Sequence, residues 1–147
     1  MFVVDANVFV YGLNRACDEH ARCRTLIETW RSHSAPWYTT WGILYEVMRV
    51  ATHPKVFQKP LSVKTVWEFI DCVMASPSFT VLAEGPRHAE VLQSTLHEIE
   101  DIRGNLLHDT HTAIVMREHG IRRIYTRDTD FHRFPFLEVI DPLRTPA

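Results

Sequence analysis

The sequence predicts an α/β domain in which a mainly parallel central sheet is flanked by helices. Two observations favour this class: short β-branched or aromatic runs typical of strands, and amphipathic segments that alternate with them along the chain. The 147 residues are 46% hydrophobic and 23% charged, which is typical of a globular protein of one domain. We therefore expect a single domain that spans residues 1–147.

The predicted strands are short runs that end at turn or capping residues. The first is the apolar run before Asp5, which resembles a strand buried on both faces. The second is the aromatic segment 37–40, and the third is 79–82, which follows the helix stop Ser76-Pro77. The fourth and fifth are 123–126 and 137–140. Predicted helices lie between each of the first four strands, and none is predicted between the fourth and the fifth.

Five helices are predicted from apolar residues at helical spacing. They are residues 18–31, residues 41–52, a helix capped by Ser62, a helix opened by Pro86, and residues 105–118. In the helix after Pro86, the expected core positions are Ala89, Leu92, Leu96 and Ile99. Since right-handed crossovers connect parallel strands, this order of elements fits a parallel sheet.

The composition excludes several classes of protein. The net charge of −2 means that any contact with nucleic acid must come from a local basic patch. Three widely spaced cysteines do not suggest a disulfide framework. No signal peptide and no apolar run long enough for a membrane span are evident. The sequence therefore predicts a cytoplasmic protein that does not contact a membrane.

Carboxylates far apart in the sequence are predicted to meet at one edge of the sheet. In a parallel α/β sheet, that edge holds the carboxyl ends of the strands and the N-termini of the helices, and ligands bind there. The side chains placed there are Asp5, Glu46, Asp109, Asp128 and Asp130. Three of them have an ordinary alternative: Asp5 could merely cap a helix, Asp109 could complement a helix dipole, and Glu46 could flank the core.

The negative charges of such a cluster repel one another, and this repulsion has to be compensated. Two carboxylates about 4 Å apart repel by roughly 4 kcal/mol at an effective dielectric constant near 20. The cluster must therefore bind protons, water or a cation, and all-oxygen ligands suit Mg²⁺ or Mn²⁺. The chain lacks the GxSxG, GxGxxG and P-loop motifs. Asn7 stands where a haloacid-dehalogenase phosphatase needs its second Asp, which disfavours an aspartyl-phosphate mechanism.

Four segments together resemble the PIN-domain ribonucleases, and among them the VapC toxins of bacterial toxin–antitoxin pairs. The segments are residues 3–9, 43–47, 107–113 and 126–135. Residues 52–62 are similar to a mycobacterial-type branch of these toxins. The resemblance implies the sheet order 3-2-1-4-5, Mg²⁺- or Mn²⁺-dependent endoribonuclease activity on RNA, a cognate VapB-like antitoxin and a homodimer.

The resemblance also implies roles for individual residues. Asp5, Glu46, Asp109 and Asp128 correspond to the acidic quartet that binds metal and carries catalysis, with Asp130 as a competing ligand for a second metal. Thr126 and Asn7 would support the acids. His108 and His111 could face the substrate, although a solvated helix turn explains them equally well.

Arginines near the acidic motifs are candidate ligands for RNA phosphates, and a solvated basic face is the alternative. The candidates are Arg127, Arg133 and Arg49. Two other functions stay open at this point. One is a different metal-dependent phosphoesterase or a DNA nuclease on the same fold, and the other is a catalytically silent dimerising module. The retention of all four acids favours the enzyme.

Overall fold

The computed structural model describes residues 1–144, and the last three residues of the predicted domain lie outside the described residues. Five strands form one sheet: β1 (Phe2–Val4), β2 (Trp37–Thr40), β3 (Phe79–Leu82), β4 (Arg123–Tyr125) and β5 (Glu138–Ile140). Their order is β3-β2-β1-β4-β5, and every neighbouring pair is parallel. The predicted fold class and sheet order are confirmed.

Six α-helices and one short 3₁₀ helix surround the sheet. They are α1 (Ala6–Leu13), α2 (His20–Ser32), α3 (Trp41–Ala51), α4 (Val63–Met74), α5 (His88–Glu98), α6 (Leu106–Glu118) and the 3₁₀ helix Thr129–Arg133. The predicted cap of α4 is present, because the hydroxyl of Ser62 accepts a hydrogen bond from the Thr65 amide at 3.1 Å. Among residues 1–144, no helix combines the length and the apolar character that a membrane span requires.

Helix α1 has no counterpart among the five predicted helices. Its centre, Val8-Phe9-Val10, is β-branched and aromatic and has the local character of a strand. These three residues and Gly12 are buried, and the partly exposed edge is limited to Asn7, Tyr11 and Leu13, so the polar face is too narrow to produce clear helical periodicity. A Cβ at Gly12 would lie 2.6 Å from Cδ1 of Ile27, which shows how closely α1 approaches α2.

Helix α5 forms where predicted but buries a different face. Ala89 and Leu96 are exposed, whereas Thr95 is completely buried and Ile99 is buried just beyond the helix. The Thr95 hydroxyl donates to the Val91 carbonyl at 2.8 Å, so its burial leaves no donor unpaired. The prediction for Ala89 and Leu96 is wrong because a hydroxyl paired within its own helix can replace an apolar side chain in the core.

The middle of the sheet is fixed by aromatic packing. Trp37 on β2 is fully buried, and its ring centroid lies 4.6 Å from that of Phe79 on β3 and 6.4 Å from that of Phe9 on α1. Close-packed cores of this kind move little. The carboxyl ends of β1, β2 and β4 therefore form a rigid platform for the side chains that follow them.

Candidate active site

Four of the five predicted acids line two cavities that open at the carboxyl edge of the sheet. Asp5, Glu46 and Asp109 line both cavities, whose volumes are about 490 and 240 Å³, and Asp128 lines the smaller one. Asp130 joins them through a cluster in which single carboxylate oxygens of Asp109, Asp128 and Asp130 all lie within 4.8 Å of one another. The structure thus brings all five predicted carboxylates together.

Asp5 combines the two roles that the sequence left open. It caps α1, because its Oδ1 accepts a hydrogen bond from the Ala6 amide at 2.7 Å. It also lies in the acidic cluster, where its Oδ2 accepts from the side chains of Asn7 and Thr126 at 2.7 and 2.6 Å. These partners fix the orientation of a carboxylate that is only 7% exposed.

Thr126 and Asn7 tie the two central strands together at this edge. The Asn7 amide group donates to the Thr126 hydroxyl at 2.9 Å, and its Oδ1 accepts from the Arg127 backbone amide at 3.2 Å. The Thr126 hydroxyl also accepts from the Asp128 backbone amide at 2.9 Å. A single buried hydroxyl therefore orients both the Asp5 carboxylate and the backbone that presents Asp128.

Burial and the nearby negative charges raise the pKa values of two of the acids, Asp5 and Asp109. Burial, with smaller contributions from the charges of Glu46 and Asp128, raises the pKa of Asp5 from 3.8 to about 6, despite the opposing hydrogen bonds from Thr126 and Ala6. Burial also raises the pKa of Asp109 to about 7, with added repulsion from the other four acids. The protein alone does not compensate these charges at neutral pH, so the site favours a bound cation.

The segment after β4 contributes two acids, Asp128 and Asp130, to the cluster. Asp128 caps the 3₁₀ helix, since its Oδ1 accepts from the Asp130 amide at 2.9 Å. Asp128 is half-buried and faces the smaller cavity, whereas Asp130 is exposed. Both acids keep free carboxylate oxygens near Asp109, so either one could complete a set of oxygen ligands there.

Besides its carboxylates, the cavity of about 490 Å³ is lined by an arginine and two histidines. Glu46 on α3 is exposed and forms a long ion pair of 3.4 Å with Arg49, one turn later. His108 and His111 contribute from the first half of α6. Both predicted histidines therefore lie beside the acids, and Arg49 is the one candidate arginine among the residues that line this cavity.

The other two candidate arginines already have partners within the protein. Arg127 forms ion pairs with Glu19 at 3.1 Å and with Asp141 at 3.8 Å. Arg133 donates to the Glu100 carbonyl at 2.6 Å. A phosphate would have to compete with these contacts, so the structure favours Arg49 over Arg127 and Arg133 as a phosphate ligand.

Sequence reasoning missed two features of the site. Glu84, in the loop after β3, contacts Nε2 of His111 at 2.6 Å and so fixes the imidazole at the cavity wall. Tyr45 also lines the cavity and is 69% exposed. No motif marks Glu84, whereas the position of Tyr45 next to Glu46 on an amphipathic helix could have identified it.

A larger cavity, of about 830 Å³, contains none of the five acids. It lies between the α1–α2 connection and the loop before α4, and its lining includes Arg15, Arg24 and Lys59. The cluster of ionisable groups with raised pKa values lies instead around the two smaller cavities. Since perturbed carboxylates in a cleft are typical of functional sites, the acidic edge is the stronger candidate.

A parallel sheet of this order, with a cluster of acids at its carboxyl edge, is typical of an α/β domain of the PIN type. The PIN domain family profile matches residues 2–137, and this chain therefore belongs to the PIN-domain family. Within that family its curated relatives include proteins named VapC ribonucleases. The chain is 30% identical to ribonuclease VapC48 of Mycobacterium tuberculosis over 138 residues, which cover 94% of each chain.

Solved structures show the same fold. The crystal structure of Mycobacterium tuberculosis VapC20, described as a sarcin–ricin loop cleaving toxin, superimposes with a TM-score of 0.63 and 18% identity, covering 90% of this chain and 93% of VapC20. A chain from the structure of VapBC2 from Rickettsia felis, bound to a DNA fragment from its promoter, gives a TM-score of 0.64 with 15% identity, covering 95% and 96% of the two chains.

Proposed function

We propose that this protein is a metal-dependent endoribonuclease that acts as the toxin of a toxin–antitoxin pair. The observation that carries the proposal is the convergence of five carboxylates, two of them with raised pKa values, at the carboxyl edge of the sheet. The curated relatives named as VapC ribonucleases support the choice of RNA as substrate.

The residues present fit a hard divalent cation. Single carboxylate oxygens of Asp109, Asp128 and Asp130 lie within 4.8 Å of one another. Asp5 and Glu46 line the same cavity of about 240 Å³ as Asp109 and Asp128. All donors are oxygens, which suits Mg²⁺ or Mn²⁺. When bound, such an ion supplies an activated water and stabilises the charge that develops on a phosphodiester.

The chain's own residues prepare this site. Thr126 and Asn7 hold the Asp5 carboxylate in one orientation through hydrogen bonds of 2.6 and 2.7 Å. Fixed partners of this kind keep a ligand oriented before the metal arrives. Arg49, His108 and His111 line the cavity of about 490 Å³ together with Asp5, Glu46 and Asp109, and there they can donate hydrogen bonds to RNA phosphates.

The proposal includes two protein partners. One is a VapB-like antitoxin, supported by the fold shared with VapBC2 of Rickettsia felis. The other is a second copy of the chain in a homodimer, which the resemblance to VapC toxins implies. A small toxin that carries such an exposed acidic site needs an inhibitor in the cell that produces it.

The test is cleavage of a labelled single-stranded RNA and of a DNA with the same sequence. We expect the purified protein to cleave RNA with Mg²⁺ or Mn²⁺, to stop with EDTA and to leave the DNA intact. Asp109→Asn should lower the rate by at least roughly 10²-fold, because it removes charge from the site. Asp71→Asn, an exposed acid on α4, should retain full activity.

Full RNA cleavage in EDTA would contradict the metal mechanism, and equal cleavage of DNA would favour a general nuclease. If Asp109→Asn and Asp71→Asn behaved alike, the acidic cluster would not be the active site. Circular dichroism of both variants verifies that any loss of activity does not come from unfolding.

A further inference from the structure

Two large aromatic side chains are exposed on α3, next to the acidic cluster. Trp41 and Tyr45 are one helical turn apart, and they are 42% and 69% exposed. The opposite face of α3 buries Ile43, Leu44, Val47 and Ala51. Since that face already anchors the helix in the core, the packing of the domain does not require the two exposed rings.

The position of these rings relative to the acids is specific. Tyr45 precedes Glu46 and lines the cavity of about 490 Å³ together with Asp5 and Asp109. Trp41 continues the same helix face by one turn, since residues four apart on a helix are surface neighbours. An RNA whose phosphodiester lies at the carboxylates can therefore place its neighbouring bases against the face of α3 that carries both rings.

The chemistry of these rings suits the bases of single-stranded RNA. The cavity beside them is rich in carboxylates, which repel the RNA backbone, so part of the affinity must come from uncharged contacts. Unstacked bases gain affinity by stacking on aromatic side chains, and every base offers a π-face for this contact. A ring next to the acids can therefore hold a base without clashing with the metal ligands.

We propose that Trp41 and Tyr45 form a stacking surface that holds the bases of single-stranded RNA beside the acidic cluster. This inference rests on the proposed ribonuclease function and adds the residues that bind the substrate's bases. A second copy of the chain covering the same face is the competing explanation, and the experiments below distinguish the two.

The first experiment measures RNA cleavage by substituted proteins. Tyr45→Ala and Trp41→Ala should each raise KM by about 5- to 150-fold, which is the range for loss of one base–aromatic stack. The kcat should change little, since stacking binds the ground state and the transition state alike. Tyr45→Phe should restore KM, because it keeps the ring and removes only the hydroxyl.

Trp67 provides a matched control. It lies on α4, is 41% exposed, almost the same as Trp41, and does not line the acidic cavity. Trp67→Ala should therefore leave KM unchanged. An equal rise in KM for Trp67→Ala and Trp41→Ala would indicate a general effect of removing exposed rings, and the proposal would be wrong.

The second experiment observes the contact directly by fluorescence. Within residues 1–144, Trp30 and Trp37 are buried, so Trp67→Phe leaves Trp41 as the exposed tryptophan of that part of the chain. In an Asp109→Asn, Trp67→Phe protein, which we expect to bind RNA without cutting it, a short single-stranded RNA should quench Trp41 emission. Adding Tyr45→Ala should weaken the binding that this titration reports.

The outcomes separate the two proposals. If the wild-type protein cleaves RNA while both alanine variants keep its KM, the stacking surface is refuted and the ribonuclease function stands. If both variants raise KM but also convert a dimer into a monomer in sedimentation experiments, the face belongs to a second copy and the stacking proposal is wrong. If the wild type cleaves no RNA with any divalent metal, the proposed function itself fails.

Discussion

The hydroxyl of Thr126 donates a 2.6 Å hydrogen bond to the carboxylate of Asp5, from a position 121 residues later in the chain. The hydroxyl has one proton, and Asp5 receives it. Its oxygen is therefore left to accept hydrogen bonds from Asn7 and from the Asp128 backbone amide. One buried threonine thus couples the first acid of the site to the segment that carries the fourth.

Thr126→Val tests this coupling, because valine has almost the same shape without the hydroxyl. We expect ribonuclease activity to fall by about 10- to 100-fold, as for the loss of other groups that orient metal ligands. Stability should fall by about 1–3 kcal/mol, because the Asp128 amide loses its acceptor. Thr126→Ser should keep most of both properties.

The control for this substitution is Thr95→Val, at a completely buried hydroxyl on α5 that is not part of the acidic site. It should change stability alone. If Thr95→Val and Thr126→Val reduced activity equally at a temperature where both are folded, Thr126 would have no specific role in the site. Activity assays and urea unfolding curves of the three variants provide the comparison.

The raised pKa values predict how stability changes with pH in the absence of metal. As pH rises above 3.8, the unfolded chain loses protons from Asp5 and Asp109, while the folded protein keeps them until about pH 6 and 7. Stability should therefore fall between about pH 4 and 7, and Asp5 alone contributes about 3 kcal/mol to this loss. Thermal melts in EDTA at pH 5 and 7.5 measure it.

Asp109→Asn is the matched variant for that experiment. It should flatten the fall in stability and melt at or above the wild-type temperature at pH 7.5, because it removes one charge from the cluster. Asp5→Asn should not show this gain, since its amide would face the donors of Thr126 and Asn7. A wild-type protein whose stability does not fall across this range would contradict the crowding of the acids.

Metal binding should restore the folding stability that is lost when Asp5 and Asp109 become charged. At pH 7.5 we expect Mn²⁺ or Mg²⁺ to raise the melting temperature, because a ligand that binds only the folded state stabilises it by about RT ln(1 + [L]/Kd). The shift should shrink at pH 5, where protons compete for Asp5 and Asp109. Asp109→Asn should show a smaller shift than Asp71→Asn, and identical shifts would place the metal elsewhere.

Arg49 is expected to contribute to the electrostatic part of RNA binding. It lines the acidic cavity, and its ion pair with Glu46 is long and exposed, so a phosphate can replace that partner at little cost. Arg49→Glu should weaken RNA binding and reduce the slope of log K against log salt by about 1. Lys64→Glu, an equal charge change at an exposed site on α4, should leave the slope unchanged.

The sequence predicts the five strands and most of the helices, because their polar boundaries and apolar faces are local signals. It does not reveal α1, whose Val8-Phe9-Val10 centre is buried and has strand-like composition. It also misplaces the buried face of α5, because the burial of Thr95 depends on contacts with α6 that local spacing does not encode. Local periodicity therefore fails where an element is fully buried or where a polar residue pairs within its own helix.

For the site, the sequence identifies all five clustered acids, because the carboxyl ends of parallel strands and the N-termini of the helices meet at one edge. The supporting residues Thr126 and Asn7 are expected only from the resemblance to PIN-domain ribonucleases. The contact between Glu84 and His111 could not be predicted, since it joins a loop to a helix 27 residues later without any motif. The ion pairs that Arg127 forms with Glu19 and with Asp141 could not be predicted from the sequence either. Such long-range pairs depend on how loops are placed in three dimensions.

The position of β4 beside β1 also determines when the site can exist during protein synthesis. The ribosome adds Asp5 to the chain before its partner Thr126 and before Asp128 and Asp130, which follow more than 120 residues later. A nascent chain that ends before β4 contains β1, β2 and β3 but lacks Thr126, Asp128 and Asp130, so it cannot hold a complete acidic cluster. We therefore expect the proposed nuclease to cut no RNA until translation has passed Asp130.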